Sequence, residues 1–217
     1  DGSFKLNMKY FDFATGLEMI NKNFSNLFDH KRRDPENEKL EKFHMDMACS
    51  IQVVTEEIVL KICKNLTEKY DIKNLCMAGG VALNCVANGK ILKEKLFKNL
   101  WIQPASGDAG GSLGAALAYW HIELNQKRIN TSDAMKGSYL GPKFTSSSIK
   151  ESLNATGAIF EEFNEDKLLT DLAMHLKNKK AIGWFQGRME FGPRSLGSRS
   201  IIADPRSEEM QKNLNLK

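Results

Sequence analysis

The sequence lacks the features that mark several large classes of protein. No run of about 18 apolar residues occurs, which excludes a membrane-spanning helix, and no charged start followed by an apolar stretch indicates a secretion signal. Only four cysteines are present among 217 residues. None lies in a C-x-x-C pair, which argues against a zinc knuckle or a thioredoxin-type site. We therefore expect a cytoplasmic protein with free thiols and no membrane partner.

Strong charge of one sign and paired histidines are also missing. The 31 Lys and Arg residues and 27 Asp and Glu residues leave a net charge of +4, which is too weak to indicate a nucleic-acid partner. The four histidines are scattered, so any histidine-based metal site must take ligands from outside this chain. Neither an H-E-x-x-H motif nor a G-x-S-x-G nucleophile elbow occurs.

The apolar pattern predicts helices alternating with strands. Between Met45 and Tyr70, apolar residues recur every three or four positions, which predicts a long amphipathic helix. Two units of strand, glycine turn and helix follow within residues 74–124, which indicates a parallel α/β sheet. Residues 125–164 have a composition typical of linkers. A further helix at 165–178 and a strand at 181–185 are predicted beyond it.

The first candidate binding segment lies between a predicted strand and the helix that follows it. It contains Gly79, Gly80, Val81 and Asn84. Glycines at such a place let the backbone approach a ligand, and the N-terminus of the next helix offers unpaired N–H groups to an anion. The same glycines would also suit a tight turn that needs positive φ. Both interpretations stay open.

The second candidate segment surrounds Asp108, which follows another predicted strand. It is flanked by Gly107, Gly110 and Gly111, whose spacing does not fit the dinucleotide-binding fingerprint. Ligands of open α/β sheets bind beyond the carboxyl ends of the strands. The Asp108 carboxylate could therefore hold a metal ion or simply cap the next helix, and both roles stay open.

The third candidate segment is rich in arginine and glycine. Arg188, Arg194 and Arg199 fall within 12 residues, interleaved with glycines and with Ser198. Arginine forks bind phosphate or carboxylate with two hydrogen bonds, and glycine-rich turns expose backbone donors to the same anion. A solvated charged face would more typically use Lys and Glu at helical spacing. Anion binding is therefore the favoured interpretation.

At these three segments the sequence resembles the O-carbamoyltransferases of the nodulation and antibiotic-biosynthesis type (the NodU/CmcH family). The matching stretches are residues 1–4, 77–84, 102–111 and 183–200.

This resemblance implies an α/β protein of two domains, of which the chain would hold only a part. Residues 1–140 would be the second half of a domain with the actin-like ATPase (RNase H-like) fold. Residues 141–164 would be a linker, and residues 165–217 would open a YrdC-like α/β domain. The chain is thus expected to be a fragment that is inactive alone.

The resemblance also implies a reaction. The YrdC-like domain would form carbamoyl adenylate from carbamoyl phosphate and ATP, with Arg188, Arg194 and Arg199 as catalytic residues. The ATPase-like domain would then transfer the carbamoyl group to a hydroxyl of a small acceptor. Residues expected to bind ATP are Gly79, Gly80, Val81, Asn84, Gly107, Gly110, Gly111 and Ser198.

A divalent cation, iron(II), is implied at Asp108. Its two histidine ligands would lie in an H-x-x-x-H pair, which this sequence does not contain. A tRNA threonylcarbamoyl-transfer enzyme and a non-catalytic nucleotide-binding module remain as alternatives, although the first would need a dense basic surface that is not evident. The sequence identifies neither the acceptor nor the oligomeric state.

Overall fold

The computed structural model describes residues 2–129 and 132–215. The chain divides into two compact units. Unit 1 consists of Asp1–Cys76 and Asn84–Trp101, and unit 2 consists of Met77–Leu83 and Ile102–Lys217. Among the described helices, none is both long enough and apolar enough to cross a membrane.

Unit 1 consists of helices beside a short sheet. Its elements are α1 (Lys22–Leu27), α2 (Lys42–Lys69), β1 (Asn74–Met77), α3 (Cys85–Glu94) and β2 (Asn99–Ile102). The last residue of each strand, Met77 and Ile102, belongs to unit 2. The long helix α2 confirms the prediction from apolar spacing. It begins at Lys42, earlier than predicted, because the backbone N–H of Glu41 donates to Nδ1 of His44 at 3.0 Å and closes the first turn.

The strands β1 and β2 pair with each other. The N–H of Asn99 donates to the carbonyl of Lys73 at 3.2 Å, and the N–H of Gln103 donates to the carbonyl of Met77 at 3.0 Å. Residue numbers therefore rise in the same direction along both strands, which makes the pair parallel. The predicted α/β class with a parallel sheet is confirmed for these elements.

Unit 2 carries the remaining helices and an antiparallel hairpin. Its elements are α4 (Ala109–Ala118), a π-helical turn (Tyr119–Glu123), α5 (Ser146–Ala155), α6 (Glu165–Lys177), β3 (Ile182–Phe185), β4 (Arg199–Ile202) and α7 (Met210–Asn215). Strand β3 pairs with β4, with Ile182 opposite Ile202 and Phe185 opposite Arg199. The hairpin loop between them is the arginine-rich segment.

Two elements of unit 2 differ from the expectation. Helix α5 lies within residues 125–164, whose composition indicates a linker. It begins there because the Thr145 hydroxyl accepts from the N–H of Ser148 at 3.2 Å, while the N–H of Thr145 donates to the Ser148 hydroxyl at 3.1 Å. Strand β4 was not predicted either, because Arg199 and Ser200 are polar and the strand forms through its pairing with β3.

Candidate functional site

Unit 2 brings the first two candidate segments side by side. The N–H of Gly79 donates to the carbonyl of Ser106 at 2.6 Å. This hydrogen bond joins the turn that follows β1 to the turn that follows β2. Ligands of parallel α/β sheets bind at this end of the strands, so the two glycine turns lie where the sequence places a binding site.

The third segment contacts the second one. Gly192 has a φ of +125°, and a Cβ added to it would lie 3.0 Å from the carbonyl oxygen of Pro104 and 3.2 Å from Cα of Ala105. Any side chain at position 192 would therefore strain the backbone and crowd the second turn. Unit 2 thus brings the first and third segments into contact with the second, except for Asn84 of the first segment, which belongs to unit 1.

Open space borders several glycines of the two turns. Gly79 has a φ of +99°, which accounts for glycine there. Gly80, Gly107 and Gly111 have no such φ, and a Cβ on any of them would meet no described atom within 4 Å. Neither backbone conformation nor packing among the described residues explains these three glycines. They leave room that a ligand could fill.

Gly110 is different, because a Cβ there would overlap the carbonyl oxygen of Ala105. Glycine at this position is accounted for by close packing of α4 against the second turn. Its predicted contact with ATP stays a prediction.

Ser106 is a candidate site residue that sequence reasoning missed. The residue is only 6% exposed, and its Oγ has no hydrogen-bond partner among the described residues. Buried hydroxyl groups are normally paired, so an unpaired one beside the open glycines adds a polar atom that a ligand could satisfy. In the sequence, Ser106 has no mark that separates it from an ordinary turn residue.

Asp108 does not cap α4. It stands directly before the helix with helical φ and ψ of −58° and −35°, and its side chain makes no capping hydrogen bond. Its exposed carboxylate is therefore available to a ligand. The described residues contain no group of three or more His, Cys, Asp or Glu side chains that could hold a metal. A single carboxylate suits a hard divalent cation only if the other ligands come from elsewhere.

The three arginines occupy different environments. Arg194 is exposed, and its guanidinium makes neither a hydrogen bond nor an ion pair with any described residue. Arg188 is also exposed, and its Nη1 donates to the carbonyl of Gly141 at 2.6 Å. Arg199 is engaged by Glu190, its Nε lying 2.9 Å from Oε2. Of these three arginines, Arg194 is the one whose whole guanidinium group is available to bind an anion.

Glu190 is buried inside the arginine-rich loop and is the second residue that sequence reasoning missed. It is 3% exposed and accepts from the N–H groups of Leu196 and Ser198, each at 2.7 Å, besides Arg199. Burial by itself raises the pKa of this carboxyl. The hydrogen bonds from Arg199 and from the backbone outweigh burial and lower the pKa to about 2.

Two other predicted residues have contacts that the sequence did not indicate. Ser198 is buried and is held through its backbone, its carbonyl accepting from the N–H of Gln186 at 3.0 Å. Asn84, in unit 1, caps α3 by accepting from the N–H of Ala87 at 3.1 Å. Its Nδ2 also donates to Oε1 of Gln52 at 2.8 Å. Much of the Asn84 amide is thus committed to the fold, and its predicted role toward ATP stays a prediction.

Val81 lies in the 3₁₀ turn Gly80–Leu83 and is 58% exposed. Its predicted place beside the nucleotide stays a prediction.

Unit 1 contains a cavity of its own of about 320 Å³. Its lining includes the aromatic side chains of Phe24, Phe28 and Phe43, together with His30 and His44. The cavity is lined by none of the residues that the sequence predicts for the site.

Sequence models of one protein family match both ends of the chain. Residues 1–117 match the family described as Carbamoyltransferase N-terminus, and residues 173–217 match Carbamoyltransferase C-terminus. The chain belongs to the carbamoyltransferase family. The resemblance stated from the three segments is thereby confirmed, and the second and third segments fall in the N- and C-terminal matches respectively.

Individual carbamoyltransferase-family relatives extend well beyond this chain. The uncharacterized protein sll1178 of Synechocystis is 54% identical over the whole chain, which covers 36% of that protein. The nodulation protein NolNO of Sinorhizobium fredii is 39% identical over 79% of the chain, and NolO of Bradyrhizobium diazoefficiens is 38% identical over 79%. The chain covers 25% and 31% of those two proteins. It therefore spans about a third or less of the curated relatives it matches.

Proposed function

We propose that this chain is part of an O-carbamoyltransferase that activates a carbamoyl group with ATP and transfers it to a hydroxyl of a small molecule. Carbamoyl phosphate, ATP and one water would yield carbamoyl adenylate, phosphate and pyrophosphate. The acceptor hydroxyl would then attack the carbamoyl carbon and release AMP. The observation that carries the proposal is the meeting of two open glycine turns with a loop that presents Arg194, in a chain of this family.

The glycine turns supply the groups that a nucleotide needs. Phosphates are bound by backbone N–H groups where no side chain stands in the way. Gly80, Gly107 and Gly111 leave such space. Ser106, whose Oγ is unpaired among the described residues, directly precedes Gly107 in the sequence. We assign these turns to ATP or the adenylate, in a domain of the actin-like ATPase fold.

The arginine-rich loop would bind the anionic reactants. Carbamoyl phosphate is a dianion and ATP adds further negative charge, so joining them requires fixed cations that also stabilise the departing pyrophosphate. Arg194 has an unoccupied guanidinium, and Arg188 keeps donors beyond the one that Gly141 engages. We assign the loop to adenylate formation, in a domain of the YrdC-like fold.

Asp108 would hold a divalent cation, iron(II), together with ligands from outside the described residues. Bound there, the cation would act as a Lewis acid toward a phosphoryl or carbonyl oxygen. The absence of any hydrogen bond to the Asp108 carboxylate from the helix it precedes leaves both oxygens available for this task.

The experiment is carbamoyl-phosphate-dependent exchange of pyrophosphate into ATP by the full-length protein, followed by a screen of hydroxyl acceptors. Arg194→Lys keeps the charge but loses the fork, so the exchange rate should fall at least about tenfold, some 1.4 kcal/mol. Transfer from pre-formed carbamoyl adenylate should stay near normal. Arg128→Lys, a change at an exposed arginine of unit 2 outside the three segments, is the matched control.

Normal exchange with collapsed transfer in Arg194→Lys would show that the two half-reactions are assigned to the wrong domains. No exchange in the wild-type protein, with any concentration of carbamoyl phosphate, would refute the proposed activation step.

A further inference from the structure

The proposed function assigns no role to Glu190, a buried charged residue of unit 2. Glu190 lies at the start of the loop that carries Arg194, and its side chain has no exposed surface. A buried carboxylate is costly unless it is paired and hydrogen-bonded. Its contacts therefore reveal what the loop conformation depends on.

Those contacts join the two sides of the loop. Oε1 accepts from the N–H groups of Leu196 and Ser198, each at 2.7 Å, and Oε2 accepts from Nε of Arg199 at 2.9 Å. All three donors follow Arg194 in the chain, whereas Glu190 precedes it. The carboxylate thus closes the loop across its base.

Arg199, the partner of Glu190, also contacts backbone carbonyl groups of the loop between Glu190 and Arg194. Nη2 of Arg199 lies 3.3 Å from the carbonyl oxygen of Glu190 and 3.4 Å from those of Gly192 and Arg194. Nε and Nη2 of Arg199 are therefore engaged by the loop itself, and the backbone of Arg194 is one of the groups that they contact.

The base of the loop is fixed to the rest of unit 2. Ser138 is fully buried, and its Oγ donates to the carbonyl of Phe191 at 2.8 Å. The N–H of Phe191 donates back to the carbonyl of Ser138 at 2.7 Å. Gly192 rests on Pro104 and Ala105 of the second turn. The loop is therefore anchored next to the glycine turns on the side where Glu190 lies.

We propose that Glu190 is a positioning residue, which acts through Arg199 and two backbone N–H groups to hold the guanidinium of Arg194 toward the anionic substrate. The inference rests on the proposed function, since it takes carbamoyl phosphate as that anion. It also divides the work of two arginines: Arg199 orders the loop and Arg194 meets the substrate. The lowered pKa of Glu190 agrees with this arrangement, because the carboxyl stays ionised near neutral pH.

The test uses Glu190→Gln in the full-length protein. Glutamine keeps the size of the side chain and one acceptor oxygen, but its amide nitrogen would face Nε of Arg199, donor against donor. The KM for carbamoyl phosphate in the exchange assay should rise at least tenfold, and the melting temperature identifies variants that remain folded. Asp204→Asn is the matched control, because Asp204 also pairs with an arginine of unit 2, Arg206, but outside this loop.

A double-mutant cycle separates positioning from general damage. If Glu190 acts through Arg194, then Glu190→Gln should add less than twofold to the KM in a protein that already carries Arg194→Ala. Should Glu190→Gln fail to fold, Arg199→Lys takes its place in the same cycle, since lysine keeps the charge but cannot span the three carbonyl groups.

A folded Glu190→Gln protein with a normal KM, or effects that multiply fully in the double variant, would overturn the positioning role. The proposed function fails separately: it would fail if Arg194→Ala alone left the KM for carbamoyl phosphate unchanged.

Discussion

Replacing Gly80 with valine tests whether the open space at the glycine turns holds the nucleotide. Gly80 opens the 3₁₀ turn Gly80–Leu83, and its φ is not in the left-handed region. A Cβ at this position would meet no described atom within 4 Å. The substitution therefore adds bulk to the space while leaving the packing of the described residues intact.

The structure sets the expected sizes of two effects. Because nothing is displaced and the backbone suits an L-residue, the free energy of unfolding should change by no more than about 0.5 kcal/mol. A branched side chain where phosphate must approach the backbone should weaken ATP binding at least about tenfold, or 1.4 kcal/mol. The two effects are separable because only the second involves a ligand.

The assay is calorimetric titration of the full-length protein with ATP, beside urea unfolding of the same samples. Gly89→Val is the matched control, since Gly89 lies in α3 with equally open space and no positive φ. Gly79→Val, unlike Gly80→Val, should destabilise the fold. A valine held at a φ of +99° should lower the free energy of unfolding by about 1–3 kcal/mol.

An ATP affinity within about twofold of wild type, roughly 0.4 kcal/mol, in a folded Gly80→Val protein would refute the reasoning. The turn would then serve only to connect β1 with α3, and the open space beside Gly80 would have no part in nucleotide binding.

Three further outcomes are expected. Asp108→Ala in the full-length protein should lower bound metal, measured by elemental analysis, and abolish transfer while exchange survives; unchanged metal content would exclude Asp108 as a ligand. Asn84→Ala should cost about 1 kcal/mol in urea unfolding through loss of the α3 cap, and an unchanged midpoint would contradict that role. The pKa of Glu190, lowered from 4.5 to about 2, gives stability that is complete above about pH 4.5 and is lost as the pH falls toward 2. The destabilisation caused by Glu190→Gln should accordingly shrink between pH 7 and pH 3, and a constant difference would contradict the assigned ion pair.

The sequence predicts much of the fold because the relevant signals are local. Apolar spacing identifies α2, and glycines between apolar runs identify the turns after β1 and β2. Composition does not predict helix α5, because serines are common both in linkers and at the starts of helices. The cap formed by Thr145 makes this segment a helix. The sequence does not predict strand β4, because its pairing with β3, and not its own composition, makes it a strand.

The candidate site was predictable as three segments but not as an arrangement. Each segment shows its own chemistry in the sequence, whereas the contact of Gly192 with Ala105 and the hydrogen bond from Gly79 to Ser106 are tertiary. The difference between Arg194 and Arg199 is likewise invisible in the sequence. It depends on which of the two guanidinium groups the buried carboxylate of Glu190 engages.

The pairing of Glu190 with Arg199 can be explained by the free energies of the groups involved. A buried ion pair is a weak source of stability, because removing both charges from water offsets much of their attraction. An apolar pair in place of Glu190 and Arg199 could fill the same volume. It would also leave the N–H groups of Leu196 and Ser198 without acceptors, at about 1–3 kcal/mol for each that stayed buried. A polar group beneath the loop is therefore needed to satisfy these donors, and the place of Arg194 depends on that group.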